Sequence, residues 1–237
     1  IIMNSYIRES QLKSKKIDNY LLFNLIPFIE ISKFPPEINI EKIISIIQNK
    51  LKNKLFLSNL EAIYIGEFKE LKERSLRALY NEGAIYLSNY NDLSKYKISE
   101  EIIIKDIIHE IGHLVQQNFQ NILFEDNNLI KEFLFKRKLL KRILKANKII
   151  IPKTFETEVE YTEEIDQFLV SIVGYPLLSS FISDIFISSY SVTSIEEYFS
   201  CGFEEYFVGK NIPLQNICPV LYDKINYLEA NLENLNV

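Results

Sequence analysis

Residues 99 to 119 read S-E-E-I-I-I-K-D-I-I-H-E-I-G-H-L-V-Q-Q-N-F and form the most clearly helical stretch of the chain. Ser99 is a natural N-cap, and Glu100 and Glu101 complement the positive end of a helix dipole. Ile104, Ile107, Ile108, Ile111, Leu114 and Val115 then recur along one side at helical spacing. The chain has only two histidines, His109 and His113, and both lie here with Glu110 between them. Residues four apart share a helix face, so two imidazoles at this spacing can bind a single ion.

Outward from this helix, composition sets the limits. The 237 residues suit one large domain or two small ones, and 47% apolar content is enough to bury a core. A net charge of −5 gives no overall basic field, so nucleic acid is not an expected partner. Cys201 and Cys218 are too few for a disulfide framework. The longest apolar stretch, Phe168 to Val192, is interrupted by Gly174, Pro176 and Asp184 and reads as buried helices and a turn, with no stable membrane insertion. Lys13, Lys15 and Lys16 precede an apolar run, but Asn24, Pro27 and Glu30 spoil its centre and no small-residue cleavage site follows, so no signal peptide is read. The two isoleucines ahead of Met3 read as a chain cut from a longer one.

There is no internal repeat and no Gly/Ser linker, which favours one domain of consecutive layers. Residues 1–36 are expected to be an N-terminal extension, a poorly defined helix and a short apolar segment, packed on a single domain spanning 37–237. A helix is expected from about Ile38 to Lys52. Ala62 to Ile65 and Ala84 to Ser88 read as short strands, the second entered through the turn Asn81-Glu82-Gly83. A basic helix, Leu129 to Lys145, is followed by an acidic stretch from Glu156 to Asp166, and the simplest reading is a solvated face opposed to its acidic neighbour across a hairpin. Two last helices run from about Thr193 to Val208 and from about Pro219 to Leu232.

The pentapeptide His109-Glu110-Ile111-Gly112-His113 is an H-E-x-x-H pattern, in which two histidines hold zinc and the glutamate serves as a general base. The bland alternative is two polar residues on a solvated helix face with Glu110 as an ordinary helix former. Against it stand the absence of any other histidine and the interior Gly112, which costs about 1 kcal/mol relative to alanine unless close packing calls for it. Catalytic zinc needs a third protein ligand, and with no histidine left a carboxylate is the natural source. In the helix after Ser194, Glu197, Cys201 and Glu204 share one face while Glu196 looks elsewhere. Ser194 with Glu197 has capping-box spacing, but Thr193 with Glu196 offers the same spacing and leaves Glu197 available.

His109-Glu110-Ile111-Gly112-His113, Tyr190 and the run Glu197-Tyr198-Phe199-Ser200-Cys201-Gly202-Phe203 together resemble the glutamate-zincins (the ATLF-like domain), typified by the catalytic domain of anthrax lethal factor and by the Pro-Pro endopeptidases. The resemblance covers roughly Ile38 to Val208, loosely outside these motifs. It implies an α+β, zincin-like fold, predominantly helical with a small mixed sheet, whose H-E-x-x-H helix and a second glutamate-bearing helix hold one Zn2+ per chain. It implies Glu197 as third ligand beside His109 and His113, and Tyr190 as stabiliser of the transition state. Two departures stand out. The gap from His113 to Glu197 is 84 residues (197 − 113), longer than the family's, with a helical insertion at about 128–175. Cys201 stands where the family carries an acidic residue behind a zinc-bound histidine, a part that Asp106 could take instead.

The expected activity is that of a zinc endopeptidase acting on a polypeptide, with Glu110 as general base and Tyr190 donating to the developing oxyanion. Gly83, Ala84, Ile85 and Tyr86 are expected to form an edge strand on which an extended peptide adds. Two rivals share parts of this reading: an intracellular peptidase that clears a repressor, and a catalytically silent zincin-fold binding module of a toxin or virion. The resemblance implies an extracellular or host-delivered protein, while the chain itself is equally compatible with the cytoplasm. Nothing in it speaks to oligomeric state.

Overall fold

A computed structural model describes residues 20–89, 98–209 and 214–234. The fold is α+β and mostly helical, with a small mixed sheet of five strands. Two compact units divide the chain, Ile1–Leu114 and Val115–Val237.

The first unit is built on the sheet. Strands β1 (Tyr20–Leu22), β2 (Ile26–Glu30), β3 (Ala62–Gly66), β4 (Ala78–Asn81) and β5 (Ala84–Ser88) lie in the order β1-β2-β3-β5-β4. The β2–β3 and β3–β5 pairs are parallel, the two outer pairs antiparallel. All five residues of β3 are buried, as a central strand covered on both faces requires. Tyr64 and Tyr86, neighbours on β3 and β5, stack at 5.3 Å, and Phe68 meets Tyr86 edge-on. Of residues 1–36, expected as a poorly defined helix and a short apolar segment, Tyr20–Leu22 and Ile26–Glu30 form a hairpin of two strands, and residues 1–19 lie outside the described residues.

The turn at Asn81-Glu82-Gly83 is present and joins β4 to β5, with φ of 44° at Glu82 and 82° at Gly83. Two left-handed residues in succession match the twist of an antiparallel hairpin, and glycine takes the second without penalty. The partner strand created by this turn changes the expectation for β5. With β3 on one side and β4 on the other, β5 is interior, so Gly83, Ala84, Ile85 and Tyr86 offer no free edge; the edge position belongs to β4.

Helix α1 (Ile40–Leu51) is capped by the Asn39 side chain, which accepts the Lys42 amide, and buries Ile40, Ile43, Ile44, Ile47 and Leu51 along one stripe. A single turn, α2 (Lys69–Glu73), follows β3. Helix α3 (Glu100–Asn118) starts where the sequence places it: the Ser99 hydroxyl accepts the Ile102 amide at 3.4 Å, and all six apolar residues of the expected stripe are buried. Glu100 also binds back to α1, accepting the Asn39 amide and pairing with Lys42.

The second unit is helical. After α4 (Gln120–Phe124) come α5 (Asn128–Ala146), α6 (Glu163–Gln167) running into a π-helical turn at Phe168–Val173, α7 (Tyr175–Ile182), a 3-10 turn at Tyr190–Val192, α8 (Ile195–Val208), α9 (Leu214–Ile217) and α10 (Pro219–Asn231). Gly174, at φ 79°, and Pro176 bend the chain by 94° between the π turn and α7. Among the described residues no single helix is long and apolar enough to cross a membrane, although that bent pair passes on length and composition taken together.

Helix α5 departs from its expected role as a solvated basic face. Lys141 does reach the acidic segment, pairing with Glu156 at 2.7 Å. Lys136 and Arg137, however, are buried, on the same stripe as Leu129, Phe133, Leu140 and Leu144. Their charges are accommodated because backbone carbonyls converge on them: Lys136 Nζ donates to the carbonyls of Ile185 and Ile217. Glu132, one turn earlier, accepts the Tyr198 hydroxyl at 2.7 Å and the Val220 and Leu221 amides at 2.8 and 3.1 Å, which caps α10 from another helix. Phe133 and Tyr198 each meet Phe186 edge to face around that point and meet each other at a tilt.

Candidate metal centre

On α3 the rings of His109 and His113 stand 5.0 Å apart, centroid to centroid, and nearly perpendicular, the neighbourhood that i,i+4 spacing dictates. Both are partly exposed, whereas Glu110 is buried. A buried carboxylate needs donors, and the Glu110 Oε2 accepts the backbone N–H of Tyr80 on β4 at 2.6 Å. Ser88 N–H donates to the Arg77 carbonyl across the hairpin, so the alternation of an antiparallel pair turns the backbone of Ala78 and Tyr80 toward the outer edge. The would-be general base is thus tied to the edge of the sheet. One turn earlier, Asp106 receives a fork from Arg77, Nε at 2.9 Å and Nη2 at 2.6 Å.

On α8 the Ser194 hydroxyl accepts the Glu197 amide at 3.2 Å, so of the two caps the sequence left open Ser194 serves and Thr193 does not. Cys201, one turn on, is buried and its sulfur accepts the Ser188 hydroxyl at 3.4 Å. Tyr190 opens the 3-10 turn just ahead of the helix and is 38% exposed. Tyr175, at the start of α7, carries no sequence signal. Burial pushes its phenol up to about 12, and the nearby negative groups Asp166, Glu197 and Cys201 add to the shift, so a second hydroxyl stands in the electrostatic neighbourhood of Glu197.

His109, Glu197 and Cys201 form a group of metal-capable donors: each offers one ligand atom, and these atoms all lie within 4.8 Å of one another. Imidazole, carboxylate and thiolate are all zinc donors. The fold therefore carries a candidate His/Glu/Cys metal site. His113, adjacent to His109, is not a member of that group, and Cys201, expected only to support a ligand, is one of its donors. A cysteine one turn after a glutamate on one helix face is the signal that could have nominated it.

No family model matches the chain, nor does any curated protein or solved structure. The mixed α+β fold and the His/Glu/Cys group are consistent with a metal-binding enzyme in general.

Proposed function

We propose that the chain is a zinc-dependent endopeptidase of glutamate-zincin type, with His109, His113 and Glu197 as protein ligands of one Zn2+ and Glu110 as general base. The observation that carries this reading is the donor group formed by His109 and Glu197, one residue away from a buried glutamate in an H-E-x-x-H sequence. Zinc, when bound, would polarise a scissile carbonyl and lower the pKa of the attacking water. Glu110 takes that proton and returns it to the leaving amine. Tyr190, or Tyr175 in its place, donates to the oxygen on which charge develops. The outer edge of β4, at Ala78, takes over from β5 the pairing with an extended polypeptide, the Tyr80 amide being given to Glu110.

A second reading has an observation of its own. A buried thiol among the donors could close the coordination shell, as structural zinc sites do, and make the chain a binding module. Incubating zinc-loaded wild type and Glu110→Ala with casein and a peptide library separates the two. The peptidase reading predicts cleavage by wild type alone, abolished by chelation. Stoichiometric zinc with no cleavage under any condition would leave the metal site standing and remove the peptidase.

A further inference from the structure

Arg137 is a fully buried cation that the proposed chemistry does not use. All five of its N–H donors are spent on backbone carbonyls. Nε and one Nη2 proton go to Val192 at 3.0 and 2.7 Å, and the second Nη2 proton goes to Thr193 at 2.6 Å. Nη1 donates to Phe155 and Glu158 at 3.1 and 2.7 Å. The guanidinium carbon lies over the rings of Phe133 and Phe155, 4.6 and 5.0 Å from their centroids. Burial pushes its pKa down to about 10, which leaves it charged at neutral pH.

A buried ion is a poor means of adding stability, because well-packed apolar side chains of the same volume often do as well or better. What a guanidinium offers instead is a rigid planar fork that fixes the relative places of the groups it binds. Here those groups are the two carbonyls between Tyr190 and the N-cap Ser194. Beyond them, the Ile195 amide donates to Val159 O at 2.8 Å and the Glu197 amide to the Ser194 hydroxyl. Val192, Thr193 and Ile195 are therefore held from outside α8, the first two by α5, and the Ser194 cap closes the first turn.

We infer that Arg137 is a positioning residue: its fork on the Val192 and Thr193 carbonyls sets the start of α8 and thereby the place of the Glu197 carboxylate. The role in metal binding rests on the reading of Glu197 as a zinc ligand. Metal sites demand ligand positions good to a few tenths of an ångström, so a looser fork lowers affinity before it unfolds the helix. The segment read from the sequence as an insertion is then a buttress of the second ligand helix.

Two variants of the full chain test this. Arg137→Lys keeps the charge but loses the fork, and Phe155→Leu removes one flanking ring while keeping the carbonyl. Amide hydrogen exchange should show protection lost selectively over residues 191–198, with the remainder of α8 at wild-type values, and Lys131→Ala, at an exposed position of α5, should match wild type throughout. Zinc affinity, measured by chelator competition, should fall about tenfold or more in Arg137→Lys and less in Phe155→Leu, with a changed Co2+ ligand-field spectrum. Protection lost evenly along α8, or unchanged in folded variants, overturns the clamp. If Arg137→Lys fails to fold, Phe155→Leu decides by the same exchange pattern. Wild type that takes up no zinc refutes the metal reading alone, since the exchange pattern still decides the clamp.

Discussion

Replacing Gly202 by alanine places a methyl group where α8 meets α10. The added Cβ would stand 2.3 Å from Leu221 Cδ2, 2.9 Å from Cγ and 3.2 Å from Cδ1. Carbon atoms in ordinary contact sit about 3.5–4.0 Å apart, so the leucine head must retreat by more than about 1 Å. Leu221 is fully buried and has nowhere to swing. Overpacking of this kind costs about 1–3 kcal/mol, against a gain of about 1 kcal/mol from alanine's helix propensity. The expected net loss is about 0–2 kcal/mol, read as a lower urea midpoint by far-UV circular dichroism. Leu221→Ala alone should cost about 2–5 kcal/mol. In that background Gly202→Ala meets no obstruction and should instead stabilise by roughly 1 kcal/mol. A reversal of sign between the two backgrounds is the signature of steric contact. Equal effects in both backgrounds would refute the reasoning.

Glu132→Ala strands the Tyr198 hydroxyl and two amides at the start of α10 and should cost on the order of 2–4 kcal/mol in the same assay, and a loss below about 0.5 kcal/mol would show those donors find other partners. Stability should also fall at alkaline pH. Burial raises the Cys218 thiol from 9.0 to about 11, so below pH 9 both states keep the proton and nothing is lost, whereas between 9 and 11 the unfolded state alone releases it. The loss across that window is on the order of 2 kcal/mol, Tyr198 shifts in the same direction, and Cys218→Ala should flatten the decline; an unchanged slope in that variant would count against the assignment. Tyr190→Phe and Tyr175→Phe, compared on one peptide substrate, should divide the oxyanion role: the donor's loss lowers kcat about 100-fold with KM little changed, and two near-wild-type variants would remove both from the mechanism.

How much of this was legible in the sequence depends on how local each signal is. The start and buried stripe of α3, the stripe of α1, the Ser194 cap and the strands β3 and β5 follow from capping chemistry and apolar period, which act within a few residues. Strands β1 and β2 did not show because the apolar run holding Asn24, Pro27 and Glu30 is weighed as a signal peptide and not as a hairpin, which tolerates a proline near a sheet edge. Strand β4, Ala-Leu-Tyr-Asn, is half-buried throughout and carries no alternation, so its absence from the reading turned β5 into an edge. The inward turn of Arg137 was hidden for a different reason: the carbonyls that receive it lie 18 to 56 residues further along the chain, and charge patterning along one helix says nothing of them. At the site, spacing nominated His109, Glu110 and His113, and helix face nominated Glu197 with Cys201 only in a supporting part, while the donor group of the folded chain has Cys201 in it and not His113.

The most direct test of the central claim is equilibrium dialysis of the full chain against buffered zinc, with His109→Ala and Glu197→Ala dialysed alongside. The account predicts one zinc per wild-type chain and saturable binding that weakens at least 100-fold in each variant, since each removes a protein ligand. Wild type with no saturable zinc, or variants that bind as wild type does, would contradict it.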